Sequence, residues 1–183
     1  IAQVKGDIRR AYQEAVVMRD LAFTDKGWNL LLEALEIRFK RHLSIGLRLI
    51  ESLYPHSQMN VIIANLASDT ATVRANAIEA IDNMVSRSLG RQIIPLIESG
   101  NPAGNEAMLQ EVGQIRTHNR DQWLEEFLRG ADPWLTVCTL AEIKAHGPAA
   151  LLPQAAGAVR SHDPIVRETA LYSMLSSGVV QIS

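Results

Sequence analysis

Five histidines, one cysteine and an adjacent pair of glutamates are the residues of this 183-residue chain whose side chains could move protons, hold a metal or attack a carbon. The histidines are His42, His56, His118, His146 and His162. No two stand at i, i+4, and none stands so with Cys138, so the spacing that puts two metal ligands on one helical face is absent. Four of the five fall at or near expected helix ends, where an imidazole complements the helix dipole or serves a turn. They read as structural. Cys138 lies mid-helix between Val137 and Leu140, and reads as a buried small hydrophobe rather than a nucleophile. Glu125 and Glu126 could be imagined as a general acid and base. Neighbours on a helix point about 100° apart, however, and do not converge on one substrate atom. There is no Gly-x-Ser-x-Gly elbow, and Gly100-Asn101-Pro102-Ala103-Gly104-Asn105 reads as a turn rather than a phosphate cradle. The expectation is therefore a non-enzymatic protein with no catalytic, cofactor-binding or metal residues.

The elements that carry these residues recur with a fixed beat. Asn101-Pro102, Asp132-Pro133 and Asp163-Pro164 stand 31 residues apart, and one further step back lands on Thr70. Val73, Leu135 and Val166 follow their markers by three residues, and Ile78, Leu140 and Leu171 by eight. Counted backwards, Ile97, Leu128 and Val159 lie four residues before a marker, and Ile93, Leu124 and Ala155 lie eight before. A repeat of this length with helical patterning in both halves is the signature of stacked helical hairpins.

Apolar spacing of three to four residues predicts helices over 3–23, 26–54, 57–67, 70–86, 89–98, 103–116, 120–129, 133–145, 149–160 and 164–176. Thr24 and Asp25 read as a break and N-cap, and Pro55 as the end of the longest helix. The expected organisation is a pair of long helices over 1–55 and a repeat array over 56–183, continuous as one solenoid domain. The last helix begins a hairpin whose partner is missing. With no initiator methionine and the apolar end Val179-Val180-Gln181-Ile182-Ser183, the chain reads as a segment of a longer polypeptide.

Only 5% of residues are aromatic while 47% are apolar, so Leu, Ile, Val and Ala must build the core. A net charge of −2 gives no general attraction to nucleic acid. A single cysteine cannot close an internal disulfide, which fits a reducing compartment. No apolar run is long enough to span a membrane.

The string Asp163-Pro164-Ile165-Val166-Arg167-Glu168-Thr169-Ala170-Leu171 resembles the first helix of a HEAT repeat, and Thr72-Val73-Arg74-Ala75-Asn76-Ala77-Ile78 matches its core. The resemblance covers about residues 56–177. It implies an all-α, right-handed α-solenoid of HEAT-like helical hairpins, preceded by the two longer helices. In that family the Asp caps the helix and the Arg pairs with an acidic residue of an adjoining repeat. Here Arg74 and Arg167 keep the Arg position, while Asn105 and Thr136 replace it in the middle repeats.

A narrower likeness covers residues 38–98. Asn76-Ala77-Ile78-Glu79-Ala80-Ile81-Asp82 and the later Pro95-Leu96 resemble strings in the soluble HEAT-like segment of ATP/ADP-translocase-related, major-facilitator-like transporters. Ile78, Ala80 and Ile81 depart from the leucines of that pattern. The likeness implies a cytoplasmic regulatory or interaction module, membrane-associated through its parent protein.

In HEAT arrays the second helices form the inner binding face, which makes Gln92, Glu98, Gln122, Glu125, Glu126, Arg129, Gln154 and Arg160 the candidate partner-binding residues. Their mixed to acidic character argues against nucleic acid. The local basic run Arg38, Lys40, Arg41, His42 and Arg48 is either a membrane-proximal face meeting anionic lipid or a solvated helix face. Residues 1–55 hold nine Lys and Arg against seven Asp and Glu, which leans the N-terminal part towards the positive. Trp134 is either a partner anchor or packing over the adjoining repeat. The function expected is a non-catalytic interaction or regulatory module whose partner is a protein or another domain of the same polypeptide. The alternatives are a stand-alone HEAT scaffold and an accessory subunit of a bilin-lyase-type enzyme. The sequence leaves the oligomeric state, the partner and the solute of any parent transporter open.

Overall fold

The computed structural model describes residues 2–22, 29–54, 59–98, 102–146 and 149–176. These residues are all-α, and no strand occurs among them. In chain order the helices are α1 (Ala2–Ala22), α2 (Asn29–Leu53), α3 (Met59–Leu66), α4 (Ala71–Met84), α5 (Arg87–Glu98), α6 (Glu106–Val112), α7 (Arg120–Arg129), α8 (Pro133–His146), α9 (Leu152–Gly157) and α10 (Pro164–Ser176). Single 3-10 turns at Pro102–Gly104, Ala149–Leu151 and Ala158–Arg160 extend the short helices. Thr24, Asp25, Trp28, Pro55, His56, Gly100, Asn101 and the 179–183 run lie outside the described residues, as does the side chain of His146.

For α1, α3, α4, α5, α7, α8 and α10 the expected and observed limits agree within about two residues. Asp163 explains one such start, because its carboxylate accepts the backbone N–H groups of Ile165 and Val166 at 2.9 and 3.2 Å. Asp132 accepts those of Trp134 and Leu135 at 3.0 and 3.2 Å. The helix expected over 149–160 is α-helical only over Leu152–Gly157 with a 3-10 turn at each end, and the expected start of α2 at 26 lies outside the described residues. The largest departure is the helix expected over 103–116. It begins only after Asn105, whose side chain caps Met108, and stops at Val112. Gly113 and Gln114 then both take positive φ, 71° and 57°, which a continuing helix forbids. The reason is tertiary. The Gln13 amide donates to the Arg116 carbonyl and accepts from the Arg116 N–H, both at 2.9 Å, and Arg9 donates to Gln114 Oε1 at 2.6 Å. These bonds hold the strip after Val112 open.

The chain forms two compact units, and the division falls inside α1 and α2. The first comprises residues 1–16 and 37–116. Its core is built by Val4, Ile8 and Tyr12 of α1 with Leu47 and Ile50 of α2, then Met59, Ile81, Leu89 and Ile93. The second comprises residues 17–36 and 117–183. Val17, Leu21, Leu31 and Leu35 pack there with Trp123, Leu124 and Cys138. A second cluster in that unit joins Leu140, Ala155, Val166 and Ala170, so that α8, α9 and α10 share one apolar seam. Within it α7 packs on α8 and α9, and α10 packs on α8 and α9. Among the described residues no helix is long and apolar enough to cross a membrane.

Polar groups fix the seams of the second unit. Asp20 accepts the indole N–H of Trp123 at 3.0 Å and the His118 N–H at 3.4 Å. Glu142, buried on α8, accepts the N–H of Leu30 at 3.0 Å and so caps the start of α2. In the first unit the carboxylates of Asp7 and Glu14 are buried on α1 and meet cations from α1 and α2. Asp7 pairs with Arg10 at 2.9 Å and faces His42 at 3.4 Å, while Glu14 pairs with Arg38 at 2.8 Å.

Candidate functional site

The second unit carries an open cleft of about 460 Å³ between the ends of α7 and α9 and the starts of α8 and α10. Its walls follow from local chemistry. Asn119 and Gln122 form a reciprocal capping box that starts α7. Trp123, Leu124 and Phe127 then turn inward, which leaves Glu125 and Arg129, one helical turn apart, on the outer face. Their ion pair closes at 2.5 Å. The Thr136 hydroxyl lies 2.9 Å from the Phe127 carbonyl and 3.0 Å from that of Asp132, tying the start of α8 to α7.

The opposite wall is held by a turn that recurs. The Ser161 hydroxyl accepts the Asp163 N–H at 3.2 Å, and the Arg167 guanidinium donates to the Ser161 carbonyl at 3.1 Å. In the first unit Ser68, Thr70 and Arg74 repeat this arrangement, at 3.2 and 2.6 Å. The arginine of each string, Arg74 and Arg167, thus binds the carbonyl of its own turn. This departs from the expected pairing with a carboxylate of an adjoining repeat. The reason is reach: the carbonyl lies six residues back in sequence, directly under the first helical turn.

Three of the sequence-nominated residues, Arg129, Gln154 and Arg160, line this cleft. Arg129 and Arg160 are exposed, and each stands three residues before its marker aspartate. Gln154 is half-buried, and its amide nitrogen lies 3.5 Å from Glu125 Oε1. Its own Oε1 is shielded from solvent and receives no hydrogen bond. Leu128, Ala158 and Val166 supply an apolar floor, and Asp163 and Ser161 stand at the edge.

The other nominated residues divide. Gln122 is exposed but engaged in the capping box, and Glu126 is half-buried with His118 Nε2 at 3.5 Å. Glu98 is exposed at the end of α5, in the first unit. Gln92 does not belong to an exposed face: it is buried at 7% exposure because α5 turns it inward with Leu89, Ile93 and Leu96. Its carbonyl accepts the Tyr12 hydroxyl at 3.0 Å, and burial pushes the Tyr12 phenol up to about 12.

The basic face is also reduced. Lys40, Arg41 and Arg48 are exposed on α2, but Arg38 is half-buried and spent on Glu14. His42 turns toward Asp7, and desolvation lowers its pKa below the usual 6.5 despite the Asp7 hydrogen bond that pulls it upward. Cys138 is fully buried, and desolvation, followed by Glu142 and Asp132, pushes its thiol up to about 11. Trp134 is 55% exposed, so its indole is open to solvent rather than packed under a neighbour. Among the described residues no cluster of His, Cys, Asp and Glu could hold a metal ion.

Sequence reasoning missed the Ser161–Arg167 turn, Thr136 and the paired carboxylates Asp7 and Glu14. The first had a signal in Ser68 and Ser161, which stand two residues before Thr70 and Asp163. Set against protein-family models, curated proteins and solved structures, the chain matches none of them.

Proposed function

We propose that this chain is a non-catalytic protein-interaction module, a right-handed solenoid of HEAT-like hairpins that holds partner segments against the ends of its second helices. The carrying observation is the cleft in which Arg129, Gln154 and Arg160 converge over an apolar floor. A volume of this order with a few placed polar groups suits one or two partner side chains. The repeat reading is supported by the 31-residue beat and by like-on-like packing, α8 with α10 and α7 with α9. Recurrence of the Ser–Arg turn at Ser68 and Ser161 supports it further.

Selection of displayed random peptides on the immobilised chain tests the module. Enrichment of sequences that bind the folded protein and are lost on its thermal unfolding is the expected result. A selection that enriches nothing over bare support overturns the reading.

A second reading places the module at the cytoplasmic side of a transporter-like membrane protein. It is favoured by the exposed Lys40, Arg41 and Arg48 on α2 and by the likeness over residues 38–98. Sedimentation with anionic vesicles should then fall steeply with salt and with the triple change of these residues to Gln. Sedimentation insensitive to both speaks against it.

A further inference from the structure

We propose that the cleft of the second unit is a docking groove for an extended acidic peptide of the pattern acid–apolar–acid, an inference that rests on the interaction-module reading above. Arg129 and Arg160 occupy one register position in successive repeats and both line the cleft. The helices that carry and precede them, α7 and α9, pack together, and packed helices lie about 8–10 Å apart. Two guanidinium groups therefore line one groove from neighbouring second helices. Arg160 meets no carboxylate among the described residues, whereas Arg129 is held by Glu125 at 2.5 Å. The one carboxylate on the cleft wall, Asp163, is already accepting two backbone N–H groups at the start of α10.

Gln154 supplies the recognition of a backbone. Its amide nitrogen faces the carboxylate of Glu125, which fixes the orientation of the group. Its Oε1 is consequently a shielded acceptor with no donor, and a buried acceptor without a donor is costly to leave unmet. A peptide N–H crossing the groove satisfies it once the side chain turns outward. In an extended strand the side chains at i and i+2 share one side about 7 Å apart, and the residue between them points to the other. Two carboxylates so spaced reach the two flexible guanidinium groups. The intervening side chain meets the floor of Leu128, Ala158 and Val166.

Fluorescence anisotropy on the full chain at low ionic strength tests this. The probe is fluorescein-labelled Gly-Ser-Glu-Leu-Glu-Gly-Ser, with the Gln-Leu-Gln and Glu-Ser-Glu versions as controls. Saturable binding is expected, with each control weaker by about tenfold or more. Arg160→Glu should weaken the probe by at least about tenfold and Arg160→Gln by less, with unchanged melting, since Arg160 is exposed. Gln154→Leu should also weaken it. Absence of saturable binding, or equal binding by wild type and both Arg160 variants, overturns the groove. Competition by oligouridylate at equal charge, with no preference for the central Leu, overturns it too, since charge alone would then be at work. Peptides enriched in the display selection that are neutral or basic, or that ignore Arg160→Glu, sink the groove but leave the interaction module standing.

Discussion

Cys138 and His42 show how burial sets the chemistry of single residues in this chain. With its side chain fully buried and its pKa pushed to about 11, Cys138 stays a thiol at neutral pH. We expect no reaction with a disulfide reagent such as DTNB at pH 8 in the folded protein, and one equivalent of colour once denaturant is added. Rapid labelling of the native chain would contradict its buried position. His42 gives a pH prediction. Its folded pKa is lowered from 6.5, so the unfolded chain binds the proton more readily. Stability therefore falls as pH drops below about 6.5 towards the folded value. Asp7, Arg10 and Arg38 face the ring, and the two arginines add to desolvation in opposing its charge. His42→Gln, which retains a donor for Asp7, should lose less melting temperature than wild type between pH 7.5 and 5.5. Equal losses in the two proteins would remove His42 as the source.

At the scale of elements, α7 and the strip after α6 make opposite demands. Leu124 on α7 is fully buried among Leu21, Leu35 and Cys138. Leu124→Ala should cost about 2–5 kcal/mol of unfolding free energy in a urea titration. Gly113 holds φ 71°, so Gly113→Ala should cost about 1 kcal/mol through backbone strain. A neutral result there would mean the strip relaxes into helix. These two elements also mark what the sequence could disclose. The start and stop of α7 were readable because Asn119, Gln122 and Gly130 are its own caps and neighbours. The end of α6 was not, because Gln13, which holds Arg116 open, is 103 residues away. The cleft was half legible. Arg129, Gln154 and Arg160 could be placed on second helices by register, whereas the inward turn of Gln92 depends on which face of α5 the first unit buries, with Leu89, Ile93 and Leu96, and Arg38 on a carboxylate buried in α1.

The whole molecule is two units threaded by the same two helices: α1 gives residues up to Val16 to the first and the rest to the second, and α2 passes from the second back to the first at Ile37. Each unit should therefore leave its mark on one helix. In native-state hydrogen exchange, Leu124→Ala should accelerate amides at 17–21 more than those at 4–12, because Leu124 packs with the former set. Uniform acceleration along α1 would show that the units open as one. The same threading has a consequence for the chain as it is made. Leu21, Leu31 and Leu35 leave the ribosome about a hundred residues ahead of their partners Trp123, Leu124 and Leu151. At typical synthesis rates that is an interval on the order of ten seconds. During it three leucines that end fully shielded stand without the partners they pack on, which makes the emerging 17–36 stretch a natural client for a holding chaperone.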